Sequence, residues 1–334
     1  MKGRRVALVA LLNAAFLSIS SGAMAGDGFD VVALGALGGI EDGNLSAYLI
    51  HPHDDDRAVT CDAGTLVNGL RVADAKGAFD AVKVPPESDL GRVGYVLTKQ
   101  IKGYLISHAH LDHVAGLVIS SPDDSNKPIY ALPSVGEALV TTYFNWQAWP
   151  NFTDRGKEPR LKKFTITDLE PAKATPLADT KMKVTAFPLS HGGVESTAFL
   201  IESDDDAMLC FGDTGPDAVE KTTHMRDIWS AVADRLKQRR LKAIVIESSY
   251  ASDRPDKLLF GHLTPKWLLA SLHELAGQAG AGSLNGLPIV ISHIKYALTR
   301  EQQPQKKILD ELEAGNDIGV RFVMPEQGAR WHFR

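Results

Sequence analysis

Six consecutive residues, His108-Ala109-His110-Leu111-Asp112-His113, supply four side chains able to ligate a metal. Imidazole nitrogens and carboxylate oxygens suit divalent ions, and so many donors in one short run point to metal-assisted hydrolysis rather than to solvated histidines. The apolar run ending at Tyr104-Leu105-Ile106 predicts a buried strand directly before them. Alternation along an extended chain points His108 and His110 the same way, so both can grip one ion. Val114 to Ser120 predict a helix. As the chain turns into it, Asp112 and His113 face elsewhere and can serve a second ion a few ångströms from the first, as in two-metal phosphoesterases.

A dinuclear centre needs more than four ligands, and three further motifs follow apolar, strand-like runs. Ser190-His191-Gly192-Gly193 follows Lys183 to Phe187, Phe211-Gly212-Asp213-Thr214-Gly215 follows Ala207 to Cys210, and Ser292-His293 follows Leu287 to Ile291. His191 can complete the first ion's trio, Asp213 can bridge both ions through its two oxygens, and His293 can complete the second set. Taken singly, each is more often a turn residue; behind the opening motif they form a ligand set.

This order of motifs resembles the metallo-β-lactamase superfamily. The longer run from His108 through Gly116-Leu117-Val118-Ile119 to Ser121-Pro122 resembles the signature of the class II cyclic-nucleotide phosphodiesterases. Gly38-Gly39, Asn44 to Ile50, Cys61 to Thr65, Gly261 to Pro265 and Ser292 to Lys295 extend the resemblance over nearly the whole chain after its first 25 residues. It implies an α/β fold: an αββα sandwich of two mixed sheets with helices on the outer faces. It also implies hydrolysis of 3′,5′-cyclic nucleotides, cyclic AMP first and cyclic GMP with it, to 5′-monophosphates by a metal-bridged hydroxide. Asp112, from within the ligand set, together with His262 and Glu247, is expected to carry the chemistry. Similarity to the tRNA 3′-processing endonucleases of the superfamily assigns His262 as proton donor to the leaving ribose oxygen and Glu247 as its orienting partner; the bland alternative makes His262 a helix cap. Asp62 is expected behind a ligand histidine, fixing its tautomer. Zinc is the expected metal, and iron or manganese would accept the same donors.

Other substrates for the same centre are an RNA 3′ end, a lactone or a β-lactam, and a non-enzymatic chain would be an exported nucleotide or metal scavenger. The formal charge of −5 becomes −8 once Lys2, Arg4 and Arg5 are removed, which speaks against nucleic-acid binding over a broad face. A phosphodiester anion is still welcome locally, since two divalent ions, two carboxylates and one hydroxide leave about +1. Residues 1–25 read as a cleaved secretory signal. The basic residues precede the apolar runs Val6 to Leu12 and Ala14 to Leu17, and Ala23-Met24-Ala25 offers a cleavage site. Asn13 and the following serines interrupt what a membrane anchor would need, so a periplasmic or secreted protein is expected, with residues 26–334 as one domain.

Cys61 and Cys210 each sit in an apolar strand shortly before an acidic residue, as small buried hydrophobes do, and free thiols are expected. The triplets Asp54 to Asp56 and Asp204 to Asp206 read as solvated hairpin tips. Alternating strands are expected near 30–34, 45–51, 59–62, 129–132, 183–187, 197–202, 207–211, 243–247 and 287–291, with helices from Ser134 and over about His224 to Arg240, and a glycine-rich connector over 277–286. The segment Tyr143 to Phe152 is strongly aromatic in a chain with 7% aromatic residues; base stacking and core packing are equally open to it. His51, His53, His224, His273 and His332 lack motif context and are expected to be surface or packing residues. The oligomeric state has no signal.

Overall fold

The computed structural model describes residues 27–300 and 304–334. The expected secretory signal lies outside the described residues. Two seven-stranded mixed sheets face each other. In spatial order the first holds Arg330–Phe333, Phe29–Gly35, Ala47–Pro52, Ala58–Cys61, Ile101–Leu105, Lys127–Ala131 and Phe164–Asp168. The second holds Arg321–Val323, Pro288–Ser292, Leu241–Glu247, Asp206–Phe211, Val194–Ser203, Lys183–His191 and Ala174–Pro176. Both sheets have an antiparallel part built from hairpins and a parallel part, where helical crossovers return the chain.

Strand alternation sorts the core into layers. Ala243 and Val245 face the space between the sheets, where they join Val31, Leu105 and Tyr130 of the first sheet. Ile244 and Ile246 point outward, against Ile228, Trp229 and Val232 of helix His224–Lys237 and Leu268 and Leu272 of helix Pro265–Ala279. A strand covered on both faces must be apolar at every position, which is why these runs read as nearly continuous hydrophobic sequence. Helix Val67–Ala75 covers the first sheet through Leu70 and Ala73, completing the expected four-layered sandwich. Helix His224–Lys237 ends three residues before the expected Arg240, with Arg235 and Lys237 in its last turn.

Two expectations need correction. Cys61 and Cys210, 149 positions apart in the sequence, form a disulfide with a Cα–Cα distance of 6.6 Å. Each lies in its strand at a position that faces the inter-sheet layer, so a burial pattern that looks like that of a small hydrophobe is here that of a cross-link between sheets. Asp206 is not part of a solvated tip. It is buried, its Oδ2 accepts the Gly28 N–H at 2.9 Å, and Lys242 Nζ lies 3.1 Å from its Oδ1. The strands 164–168, 174–176, 321–323 and 330–333 carry no counterpart in the sequence expectations, being short and placed at or near sheet margins, where burial imposes little alternation.

Candidate metal centre and active site

The polar residues gather where strands end. His108 comes three residues after strand Ile101–Leu105, Asp213 two after Asp206–Phe211, and His293 one after Pro288–Ser292; His191 and Glu247 are the last residues of their own strands. The carboxyl ends of neighbouring strands converge, so residues far apart in sequence meet in one cleft. Helix Leu111–Ser120 begins directly after His110 and carries Asp112 and His113 in its first turn, where its dipole favours the carboxylate.

Every residue expected to ligate a metal is brought to this place. His108 Nε2 lies 3.0 Å from His110 Nδ1, which lies 3.2 Å from His191 Nε2. His293 Nε2 lies 3.2 Å from Asp112 Oδ2. Asp213 Oδ2 stands between the two groups, 3.3 Å from His113 Nε2 and His293 Nε2, 3.8 Å from His108 Nε2 and 3.7 Å from His191 Nε2.

Outer partners set the tautomers. His113 Nδ1 donates to Asp62 Oδ2 at 2.7 Å and His191 Nδ1 to the Gly261 carbonyl at 2.7 Å. Ser107 Oγ donates to Asp62 Oδ2 at 2.9 Å, so it accepts from His108 Nδ1 at 3.0 Å. Ser249 Oγ donates to Glu247 Oε2 at 2.6 Å and accepts from His293 Nδ1 at 3.0 Å. Four imidazoles thereby present Nε2 lone pairs inward. Lone pairs meeting each other and carboxylate oxygens near 3 Å repel unless a cation lies among them, and His113 Nε2 is buried without a hydrogen-bond partner. The donor set therefore fits divalent metal ions, with Asp213 between the two groups of side chains.

Electrostatics agree with that fit. Burial, followed by the charge of His113, pushes the His108 and His110 imidazoles below their usual value, and burial brings His191 down to about 4. Burial would raise Asp213, but His113 and His293 outweigh it and hold the carboxyl well below the carboxylate range. Asp112 is likewise lowered against burial, by its contacts with His293 and His113. These are the neutral imidazoles and ionised carboxylates that metal binding requires. His113 is the exception, raised because Asp213 and Asp62 on either side more than offset its burial.

Two glycines make room for the second group. A Cβ on Gly38 would lie 2.2 Å from His293 Nε2, and Gly39, at φ +72°, donates its N–H to Asp112 Oδ2 at 2.7 Å.

His262 stands beside the ligands rather than among them. Its Nδ1 lies 2.9 Å from Glu247 Oε1 and 3.8 Å from Asp213 Oδ2, so its Nδ1 proton is committed to Glu247. Burial lowers the His262 pKa, but the Glu247 charge and hydrogen bond outweigh it and the net shift is upward. Glu247 is fully buried and fully satisfied: Oε1 also accepts from Thr214 N at 2.9 Å, and Oε2 from Ser249 Oγ and from Leu263 N at 3.1 Å. Ser107, Ser249 and Thr214 were not expected here. Their only sequence signal is closeness to His108, Glu247 and Asp213, within two residues in each case, and a hydroxyl residue near a histidine or carboxylate is too common to single out.

Away from the centre, the aromatic segment is mostly committed to structure. Phe144 is fully buried, Trp149 Nε1 donates to Ser121 Oγ at 3.0 Å, Trp146 Nε1 donates to the Pro159 carbonyl at 2.9 Å, and Tyr143 Oη donates to the Ala109 carbonyl at 2.8 Å. Of the five histidines without motif context, His53 and His332 stack with centroids 3.8 Å apart beside Asp30, His273 pairs with Asp317, and His224 lies 3.2 Å from Ser190 Oγ.

Comparison with known proteins agrees with this geometry. The chain is 50% identical over 318 residues to a 3′,5′-cyclic-nucleotide phosphodiesterase of Aliivibrio fischeri, covering 95% of this chain and 96% of that protein. It is 44% identical over 320 residues to a probable 3′,5′-cyclic-nucleotide phosphodiesterase of Yersinia pestis, covering 96% and 92% respectively. Among solved structures, unliganded yeast PDE1 superimposes with a TM-score of 0.77 at 25% identity, over 92% of this chain and 99% of that one. The metallo-β-lactamase fold protein YhfI of Bacillus subtilis matches in fold, with a TM-score of 0.59 at 16% identity, over 91% of this chain and 99% of that one. The family model for class-II cAMP phosphodiesterases matches residues 29–328, and the chain belongs to that family.

Proposed function

We propose that the protein hydrolyses 3′,5′-cyclic nucleotides, cyclic AMP first, to 5′-monophosphates at a two-ion centre. The observation that carries this is the His262–Glu247 pair, 2.9 Å apart, standing against a complete set of seven ligand side chains. His108, His110 and His191 would hold one ion and Asp112, His113 and His293 the other, with Asp213 available to both. When bound, the ions neutralise charge on the phosphoryl oxygens and lower the pKa of water to about 7. Zinc suits the donors best.

The chain's own residues handle the leaving group. Opening the ring toward a 5′-monophosphate breaks the bond from phosphorus to O3′, and water supplies the new oxygen. The departing alkoxide is a poor leaving group and takes a proton as the bond breaks. His262 holds that proton. With Nδ1 tied to Glu247, transfer falls to Nε2, and the Glu247 carboxylate stabilises the imidazolium until it has donated. Thr214 N, Leu263 N and Ser249 Oγ fix Glu247 so that it has no other geometry to adopt. A chelator should abolish cyclic AMP hydrolysis and added zinc restore it. Full activity with fewer than two ions per chain would refute the dinuclear assignment.

Export to the periplasm or the medium belongs to the same proposal. It is supported by the basic and apolar start of the chain and by a disulfide suited to an oxidising compartment. Mass spectrometry of secreted protein should find Gly26 first; a chain retaining Met1 would refute cleavage.

A further inference from the structure

We propose that the cleft bounded by Tyr250, Arg254, Lys295 and Tyr296 is the nucleoside subsite, where the base of the substrate stacks beside Arg254. The inference rests on the cyclic-nucleotide reading and adds the surface that would select a nucleotide over a simple phosphodiester. The cleft has a volume of about 550 Å³, enough for a nucleoside. It adjoins the residues that support the reacting centre. Ser249, at its inner end, touches Glu247 and His293, and Lys295 comes two residues after His293. The Tyr250 ring stands edge-on to the His262 ring, with centroids 5.7 Å apart. A phosphate held at the ligands thus has this cleft as its neighbour.

The cleft's chemistry is that of base recognition. The Arg254 guanidinium carbon lies 3.9 Å from the Tyr250 ring centroid and 5.6 Å from that of Phe260. A guanidinium stacked on one ring offers its other face to a second planar group, and its N–H edges suit the acceptors of a purine. Among the described residues Arg254 spends its side chain on a single hydrogen bond, from Nε to the Leu258 carbonyl at 2.6 Å, and it has no carboxylate partner. Lys295 Nζ also lacks a carboxylate partner among the described residues, and lies 5.9 Å from the Tyr250 ring. Two cations without carboxylate partners beside the centre suit a nucleotide, whose phosphate supplies the negative charge and whose base supplies the π face and the acceptors. Most other candidate aromatics are committed: the indoles of Trp146 and Trp149 and the Tyr143 hydroxyl are hydrogen-bonded within the protein, whereas neither Tyr250 nor Tyr296 makes a side-chain hydrogen bond among the described residues.

Phe260 adds an independent observation. It is 61% exposed and sits at φ +52°, in the loop that leads into His262. Its ring, 5.6 Å from the Arg254 guanidinium carbon, adds a second exposed apolar surface beside the cation on which a base would stack.

The test uses the metal-loaded mature protein and two substrates for the same centre: cyclic AMP, and methyl p-nitrophenyl phosphate, a diester without a nucleoside. For each enzyme the ratio of kcat/KM on cyclic AMP to kcat/KM on the nitrophenyl diester is measured. Stacking and hydrogen bonding to a base are worth roughly tenfold or more, so Arg254→Ala should lower that ratio about tenfold, chiefly through KM for cyclic AMP. Tyr296→Ala, at a partly exposed position that tolerates truncation, should lower it by about fivefold, and carries the test if Arg254→Ala fails to fold. A ratio that stays within about twofold of wild type in the folded variants overturns the subsite while leaving the proposed activity intact. Wild-type protein that splits the nitrophenyl diester but no cyclic nucleotide overturns the activity itself, and the subsite with it.

Discussion

The two sheets deliver their share of the centre in opposite ways. The first sheet contributes His108, His110, Asp112 and His113 from one turn between strand Ile101–Leu105 and helix Leu111–Ser120. The second contributes His191, Asp213, Glu247 and His293 from the ends of four different strands, with His262 from a loop. Local geometry alone sets the first group. The second exists only because parallel pairing of strands 206–211, 241–247 and 288–292 aligns their carboxyl ends. Contiguous ligands are insensitive to how the sheets sit, whereas dispersed ones report directly on sheet packing, and Asp213 is where the two groups meet.

Removing that meeting point should have the largest effect. Asp213→Ala should bring cyclic AMP turnover to background and lower the metal content below two ions per chain, and His110→Ala should act as severely from the other side. Steady-state assays with elemental analysis on the folded variants check this; substantial turnover in either would mean the two groups do not share the reaction.

The next effect is confined to the second sheet's side. His262→Ala should lose about 10²- to 10⁴-fold in kcat on cyclic AMP but far less on a nitrophenyl diester, whose leaving group needs no proton. Glu247→Gln should show the same asymmetry, more mildly. Equal losses on both leaving groups would remove His262 from the proton-donor role.

The cross-link between the sheets comes third. Cys61 lies directly before Asp62, which orients His113, and Cys210 lies three residues before Asp213. The bridge therefore ties the sheets together immediately beneath both groups. The double variant Cys61→Ala/Cys210→Ala should lose about 2–4 kcal/mol of stability in urea unfolding under oxidising conditions. If it unfolds like wild type, packing alone holds the two groups in register.

Smallest is a change behind the ligands. Asp62→Asn keeps the shape but weakens the anchor on His113 Nδ1 directly and that on His108 Nδ1 only through Ser107, and should cost about 10- to 100-fold in affinity for the ion that His113 would hold and less for the other, read by competition with a chromophoric chelator. An equal loss at both ions would show that Ser107 passes the full effect on to His108.

The legibility of the molecule follows the same division. His108 to His113 stood out because donor type and spacing are local properties of an extended segment entering a helix. The single residues His191, Asp213 and His293 carried little weight alone and drew their meaning from their places after strand-like runs behind the His108 to His113 motif. The principal strands were legible because burial on both faces or alternation leaves an apolar record. The marginal strands left none. Ser107, Ser249 and Thr214 were invisible because a hydroxyl or backbone N–H that satisfies a buried carboxylate looks like any other polar residue until the carboxylate is placed.

Sequence by itself determined the ligand types, the clustering of four of the seven and the layered order of strands and helices, since each rests on short-range periodicity or on the chemistry of a side chain. Tertiary structure decided what depends on distance between remote segments. Cys61 found Cys210 across 149 residues because both face the same inter-sheet layer, not because either strand announced a partner. Asp206 became buried because Lys242 and the Gly28 N–H reached it. The cleft at Tyr250, Arg254 and Lys295 lies beside His262 because two neighbouring parallel strands end at the same height, and only the packed sheet fixes that height.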